Sequence, residues 1–247
     1  MLGAIEAADL NNDGLIDLAV CNQAISGSMD LAPFFIFLNL GHSNQFATNH
    51  LFDLFSGYIS VVIGDFDNDG RKNDIAACTD GSVLNVFQSV DYTRPYVWDY
   101  RVYFPFGRSS SLIEGKFNAD EFADLAFISS DTDTLQVLLG YEDGTFMQQI
   151  YPTISNPTAV ARINFNNDQI DDLAVINCNR TLSVFLGTSI GLFDRNYLSF
   201  ETGYGNNTQC AHSLKVADLN QDGRDDLILI DAETQSVGII LGKNCYD

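Results

Sequence analysis

Apolar residues along this chain come in short runs of roughly six, the usual length of a β-strand. Some alternate with polar residues, as in "GAIEAAD", "SVVIGD" and "SLKVAD". Others are continuous: "DLAVC", "DIAAC", "DLAFI", "DLAVI", "DLILI". Alternation with period two marks a strand with one buried face. A short continuous run is what a strand buried on both faces looks like. β-Branched and aromatic residues crowd these runs, and Gly, Asn and Asp bound them. No stretch shows a convincing helical pattern.

The runs belong to a repeat. Five copies align on an acid that precedes a continuous run: "DLNNDGLIDLAV" from Asp9, "DFDNDGRKNDIAA" from Asp65, "KFNADEFADLAF" from Lys116, "NFNNDQIDDLAV" from Asn164 and "DLNQDGRDDLIL" from Asp218. Each is preceded by a further short run and followed by another: "FFIFLNL", "VLNVFQ", "LQVLLG", "LSVFLG", "VGIILG". An aromatic-rich segment then leads into the next copy. Four strands per copy, recurring about every 50 residues, describe a propeller blade. A parallel β-helix needs a much shorter repeat. The expected fold is therefore all-β, one propeller domain of about five four-stranded blades spanning about 1–57, 58–107, 108–156, 157–208 and 209–247. The last blade stops after its third strand, at "VGIILGKNCYD", and is incomplete. Either five blades close into a small ring, or the chain is part of a larger propeller.

Between the first and second run of copies one and five, and with one extra residue in copy two, oxygen-bearing side chains sit at positions 1, 3, 5 and 9, with glycine at position 6. A hard cation such as Ca2+ takes 6–8 oxygens in irregular geometry. A tight loop can point these positions inward, and a backbone carbonyl near position 7 adds another ligand. Without a cation the clustered carboxylates repel one another. An EF-hand loop opens the same way but needs Glu at position 12 and flanking helices. Here position 12 is Val20 or Leu229, and the flanks are strands. The plainer reading is a set of Asx-rich turns with no metal.

The copies are unequal. Copies one, two and five supply ten acids: Asp9, Asp13, Asp17, Asp65, Asp67, Asp69, Asp74, Asp218, Asp222 and Asp226. About three Ca2+ sites are expected there. Copy two has an extra residue, so that either Asp74 bulges in or Asn73 replaces it. Copy three has Lys116 at position 1 and Glu121 for glycine, and its ammonium is expected to neutralise Asp120 and Asp124. Copy four has Asn164 and Gln169 at those places. No tight metal is expected in either.

Charge sharpens the picture. Against 33 acids stand 12 Lys and Arg, a formal net charge of −21. That disfavours nucleic acid, which needs a basic surface. At 46% hydrophobic the chain can still bury a core. No apolar run reaches the roughly 20 residues of a membrane span, so no direct membrane insertion is expected. The N-terminus carries no secretory signal pattern, which favours a fragment of a longer chain. The cysteines Cys21, Cys78, Cys178, Cys210 and Cys245 show no zinc spacing. Sequons lie at Asn179 and Asn206. His42, His50 and His212 fall in no catalytic motif, and no such motif occurs.

The stretches "VIGDFDNDGRKNDIAA" and "KVADLNQDGRDDLILI", with "VFLG…GLF" after the fourth copy, resemble FG-GAP or VCBS repeats, as in the propeller heads of integrin alpha subunits. The resemblance covers essentially the whole chain. It implies Ca2+ ligands at Asp9, Asn11, Asp13, Leu15 (carbonyl) and Asp17, at Asp65, Asp67, Asp69, Arg71 (carbonyl) and Asp74, and at Asp218, Asn220, Asp222, Arg224 (carbonyl) and Asp226. It also implies an extracellular or cell-surface location and a propeller that commonly has seven blades. The binding face would carry the loops after second and fourth strands, here Asn22 to Pro33 and Glu201 to Ala211. Cys178 and Cys210 fall between neighbouring blades on that face, where a disulfide is expected. The function these features point to is a Ca2+-stabilised, non-enzymatic adhesion module for a protein or glycan ligand. The alternative is a propeller belonging or appended to a secreted, carbohydrate-active enzyme.

Overall fold

The computed structural model describes residues 2–22, 34–42, 45–50, 57–79, 81–89, 98–194, 197–202, 211–231 and 236–242. Among these the secondary structure is entirely β-strand, turn and bend. Five antiparallel sheets follow in chain order, each wound up and down without a crossover. The first holds β1 (Leu2–Ala8), β2 (Asp17–Asn22), β3 (Phe34–Asn39) and β4 (Phe46–His50). The second holds β5 (Tyr58–Gly64), β6 (Asp74–Thr79), β7 (Leu84–Ser89) and β8 (Trp98–Tyr103). The third holds β9 (Ser110–Gly115), β10 (Asp124–Ser129), β11 (Thr134–Gly140) and β12 (Phe146–Pro152). The fourth holds β13 (Pro157–Ile163), β14 (Asp172–Asn177), β15 (Thr181–Phe185) and β16 (Leu198–Glu201). The fifth has three strands, β17 (Ala211–Ala217), β18 (Asp226–Asp231) and β19 (Ser236–Ile240). The fold is all-β and of the propeller class, as the repeat predicts.

The continuous apolar runs are the second strands. β6, β10 and β14 are buried at every residue, which is why their sequences lack alternation. Each second strand begins with an aspartate paired to the last residue of the first strand: Ala8 with Asp17, Gly64 with Asp74, Ile163 with Asp172, Ala217 with Asp226. The extra residue in copy two is therefore absorbed within the loop, and Asp74 keeps its place. Four first strands share a register shift near their start, at Leu2/Ala4, Tyr58/Ser60, Pro157/Ala159 and Ala211/Ser213. A bulge at one fixed place bends each strand alike.

Two compact units make up the chain: residues 1–114 with 140–146, and residues 115–139 with 147–247. In the first unit, Ala19, Cys21, Phe34 and Ile36 of sheet one pack on Tyr58, Val61, Ile75, Ala77 and Phe87 of sheet two. In the second, Ala174, Ile176, Leu182 and Val184 of sheet four pack on Leu214, Leu227 and Leu229 of sheet five. In both pairs, one face of a sheet meets the opposite face of the next.

Candidate metal centre

Backbone conformation comes first. Position 4 is left-handed in four loops, at Asn12, Asn68, Asn167 and Gln221, all with φ near +60°. Asn tolerates that region better than most residues. In loops one, two and five, position 6 is also left-handed, at Gly14, Gly70 and Gly223. A Cβ there would meet nothing within 4 Å, so the demand for glycine is conformational rather than steric. Position 4 carries a signal that the reading of ligand spacing passes over.

The aspartate opening each second strand is fully buried: Asp17, Asp74, Asp124, Asp172 and Asp226. Its carboxylate accepts the position 2 amide, from Leu10, Phe66, Phe117, Phe165 and Leu219 at 2.7–3.0 Å. Its other oxygen accepts an amide from the end of the third strand: Asn39 to Asp17, Ser89 to Asp74, Gly187 to Asp172, Gly242 to Asp226. One side chain thus bolts three segments of a sheet together. Hydrogen bonds to a charged acceptor contribute about 1.5–3 kcal/mol each. The third strand must come close for this. A Cβ on Gly187 would stand 2.6 Å from the Asp171 carbonyl oxygen, and on Gly242 2.7 Å from that of Asp225. The bond to the position 2 amide is present in loops three and four as well, where position 1 carries no acid, so this aspartate's role in the sheet does not depend on the position 1 acid.

The upstream acids differ from loop to loop. In loop one, both Asp9 oxygens accept loop amides, from Asp13 and Gly14, and Asp13 accepts from Leu15. Asn11 takes the Asp13 amide on its oxygen and donates its own amide to the Asp13 carboxylate. Loop five repeats this contact for contact with Asp218, Asn220, Asp222, Gly223 and Arg224. Loop two has Asp67 where these loops have Asn. There Asp65, Asp67 and Asp74 bring carboxylate oxygens within 4.8 Å of one another, the one such convergence of three acids among the described residues. Asp69 instead ion-pairs with Arg71 at 2.8 Å and accepts the Arg71 amide. Within loop two, the structure gathers three of the four expected acids and turns Asp69 aside.

A cation fits loop two. Asp65 Oδ1 is buried with no hydrogen-bond partner, an orphan that an ion would satisfy. Burial pushes Asp74 up to about 7, against pulls from the Ser89, Phe66 and Asp67 amides. Burial, with repulsion from Asp69, raises Asp65, and burial with repulsion from Asp69 and Asp65 raises Asp67. Three carboxyl groups held above their ordinary range in one place are costly as anions, and a divalent ion reverses that cost.

Lys116 does not play the part expected of it. Its side chain is exposed, and its ammonium makes no ion pair with Asp120 or Asp124 among the described residues. Loop three also lacks the left-handed turns, because Ala119 and Glu121 replace Asn and Gly. Instead the Lys116 backbone is clamped by the next sheet: its amide donates to Asp171 Oδ2 at 2.8 Å, and its carbonyl accepts from the Asp171 amide at 2.9 Å. The Asn164 amide donates likewise to Asp225 Oδ2 at 2.7 Å. Asp171 and Asp225 stand at position 8 of their loops. They line a groove of about 400 Å3 with Arg162, Ile163, Asn164 and Val216. The motif's spacing gave position 8 no role. The doubled acids, Asp171-Asp172 and Asp225-Asp226, were its only trace in the sequence.

Most of the expected binding face, residues 23–33 and 203–210, lies outside the described residues, as do Cys210, Cys245 and the sequon at Asn206. Cys178 is disulfide-bonded, whereas Cys21 and Cys78 are buried free thiols. Asn179 sits in the turn after β14 and accepts the Thr181 hydroxyl at 2.6 Å.

A profile of the FG-GAP-like repeat matches residues 9–77 and 164–229, more than half of the chain. This chain belongs to the FG-GAP-like repeat family. Each matched stretch of FG-GAP-like sequence starts at position 1 of a loop and runs through the next loop it contains. The aberrant third loop, at 116–124, falls between them. No curated protein sequence matches the chain. Solved structures of similar fold include the crystal structure of BBS1N in complex with ARL6DN soaked with mercury, at TM-score 0.63 and 11% identity, covering 99% of this chain and 66% of that chain. The same complex soaked with lead gives TM-score 0.61 and 12% identity, covering 99% of this chain and 67% of that chain. The chain thus spans about two thirds of their length, and the likeness is one of fold.

Proposed function

We propose that this FG-GAP-like chain is a Ca2+-stabilised binding module, non-enzymatic, that presents its connecting loops to a protein or glycan ligand outside the cell. The convergence of Asp65, Asp67 and Asp74 on one point, with Asp65 Oδ1 lacking a partner, carries the metal part of this reading. Ca2+ at loop two would be held by these carboxylates, with Asp9, Asn11, Asp13 and Asp17, and Asp218, Asn220, Asp222 and Asp226, offering weaker sites in loops one and five. The Leu15, Arg71 and Arg224 carbonyls would complete the shells. The ion's work is structural, tying a loop already bolted to its sheet. Two observations support the binding role. A protein of similar fold crystallised in complex with a partner, and the net charge of −21 favours cations and disfavours nucleic acid. The disulfide at Cys178 favours an oxidising compartment.

Calorimetric titration of the chelated chain with Ca2+ tests the metal part. Three binding events are expected, with the tightest lost in Asp65→Asn. Equal melting temperatures in Ca2+ and in chelator would overturn it.

A further inference from the structure

Loop two is tied differently from the other four. In loops one, three, four and five, position 3 is Asn, and its side-chain amide donates to the position 5 aspartate. Asn11 bonds Asp13, Asn118 bonds Asp120, Asn166 bonds Asp168 and Asn220 bonds Asp222, at 2.6–3.0 Å. Loop two has Asp67 at position 3, and an ionised carboxylate can only accept. The internal tie is gone, and Asp67 and Asp69 repel instead.

Loop two is tied from outside. The hairpin between β11 and β12, residues 141–145, accepts hydrogen bonds at three carbonyls. Asn68, at position 4 of the loop, donates to the Tyr141 carbonyl at 3.2 Å. Arg101 donates to the Asp143 carbonyl at 3.2 Å. Gln88 donates to the Gly144 carbonyl at 2.9 Å and to the carbonyl of Phe66, at position 2 of the loop, at 3.3 Å. Arg101 Nε in turn donates to Gln88 Oε1 at 3.3 Å, which fixes the glutamine's orientation. Phe146 sets its ring edge against Phe66, with centroids 6.0 Å apart. Positions 2 and 4 flank Asp67, so the loop is gripped on both sides of that acid.

Gln88 breaks the pattern of the repeat. It is 4% exposed. It follows Phe87, whose partner Ile75 comes just after the buried aspartate. At the same register the other sheets carry Leu38, Leu139, Leu186 and Leu241. A hairpin glycine presses on this side chain in either form: a Cβ on Gly144 would collide with Gln88 Nε2, and one on Gly191 with Leu139 Cδ1. Leucine makes that contact by packing alone. Glutamine adds bonds to the loop backbone, and it does so in the sheet whose loop lacks the internal tie.

We propose that Gln88 and Asn68 are positioning residues for the loop-two ion: they hold the ligand loop closed from the neighbouring hairpin, and an ion in the loop tightens the hairpin in return. This rests on the reading of loop two as a Ca2+ site. Carboxylates of like charge push the ion-free loop open. A loop closed for only part of the time binds more weakly by that fraction. Coupling between two places is reciprocal, so what the hairpin does for the ion the ion does for the hairpin.

Calorimetric titration of the chelated 247-residue chain with Ca2+ tests this. Gln88→Leu installs the residue that the other sheets carry. Asn68→Gly keeps the left-handed turn while removing the side chain. The tightest event should weaken about tenfold in Gln88→Leu and about threefold in Asn68→Gly, a tenfold change being about 1.4 kcal/mol. The weaker events of loops one and five should not move. Hydrogen exchange at the Tyr141 and Gly144 amides, which close the hairpin, should slow on adding Ca2+ to the wild type but not to Gln88→Leu. A wild type that binds tightly, with the same affinity in both variants, overturns the coupling and leaves the Ca2+ reading standing. Equal weakening of every event overturns the coupling as well, because the effect is then global. So does exchange that slows alike in wild type and Gln88→Leu. A wild type with no tight event removes both readings. If Gln88→Leu fails to fold, Gln88→Met replaces it in both measurements.

Discussion

Loops two and three occupy the same place in their sheets and share the same buried aspartate holding the position 2 amide, Asp74 in one and Asp124 in the other. Upstream, both keep an acid at position 5, Asp69 and Asp120, that accepts the amide two residues on, and the rest differs. Loop two has two left-handed residues and three converging carboxylates, one with an unpartnered oxygen. Loop three has Lys116, Ala119 and Glu121 at the corresponding positions, without the left-handed turns. Loop three nevertheless joins its strands. Two jobs that the motif's spacing runs together are therefore separable: the last aspartate builds the sheet, and the first ones are the ligands proposed for the ion.

That separation can be broken most directly at the bolt. Asp172→Ala would leave the amides of Phe165, Asn166 and Gly187 without their acceptor. A loss of at least about 3 kcal/mol is expected from urea melts, equal in Ca2+ and in chelator. If the loss appears only in Ca2+, the bolt is itself a metal device and the comparison fails. Asp67→Ala should do the reverse. The fold persists in chelator, but the rise in melting temperature on adding Ca2+ shrinks and the tightest calorimetric event disappears.

Acidity gives a third test. Asp74 is raised from 3.8 to about 7 in the ion-free fold. The folded chain then holds a proton that the unfolded chain has released, and this favours folding below about pH 4 and is lost as pH rises through about 7. The chelated protein should melt at lower temperature at pH 8 than at pH 5. Asp74→Asn should flatten that part of the profile, and Ca2+ should restore stability at pH 8. A chelated chain that grows more stable between pH 5 and 8 would contradict the assignment. A smaller effect, about 1 kcal/mol, is expected from Gly70→Ala, whose Cβ meets no neighbour but must adopt φ near +86°. In Ca2+ binding, the smallest effect is that of Lys116→Asp. It restores the position 1 acid but not the left-handed turns, so calorimetry should show no new Ca2+ event.

The sequence made the sheets legible for a physical reason. Second strands are buried on both faces and lose polar alternation, as "DLAFI" and "DLAVI" do, and tight Asx loops must punctuate them. The common role of Asp17, Asp74, Asp124, Asp172 and Asp226 was hidden because their partners are backbone amides, which any residue supplies. The turning of Asp69 toward Arg71 was hidden for another reason: side-chain direction within a loop depends on rotamer competition, which spacing does not encode. Asp171 and Asp225 looked like surplus charge beside a ligand until register placed them against the preceding loop.

Those two acids bear on how the repeat tolerates change. The loops whose first residue is pinned from the neighbouring sheet are the ones whose first residue is no longer aspartate, Lys116 and Asn164. An aspartate in either place would face an incoming carboxylate, and like charges at that distance would push the clamp open. Where copies two and three offer the neutral Asn73 and Ala123 at the matching positions, the preceding loops keep Asp9 and Asp65. Where this clamp is seen, between sheets three and four and between sheets four and five, it fastens one repeat to the next without an acid at position 1, and the proposed ion sites fall in loops that keep that acid.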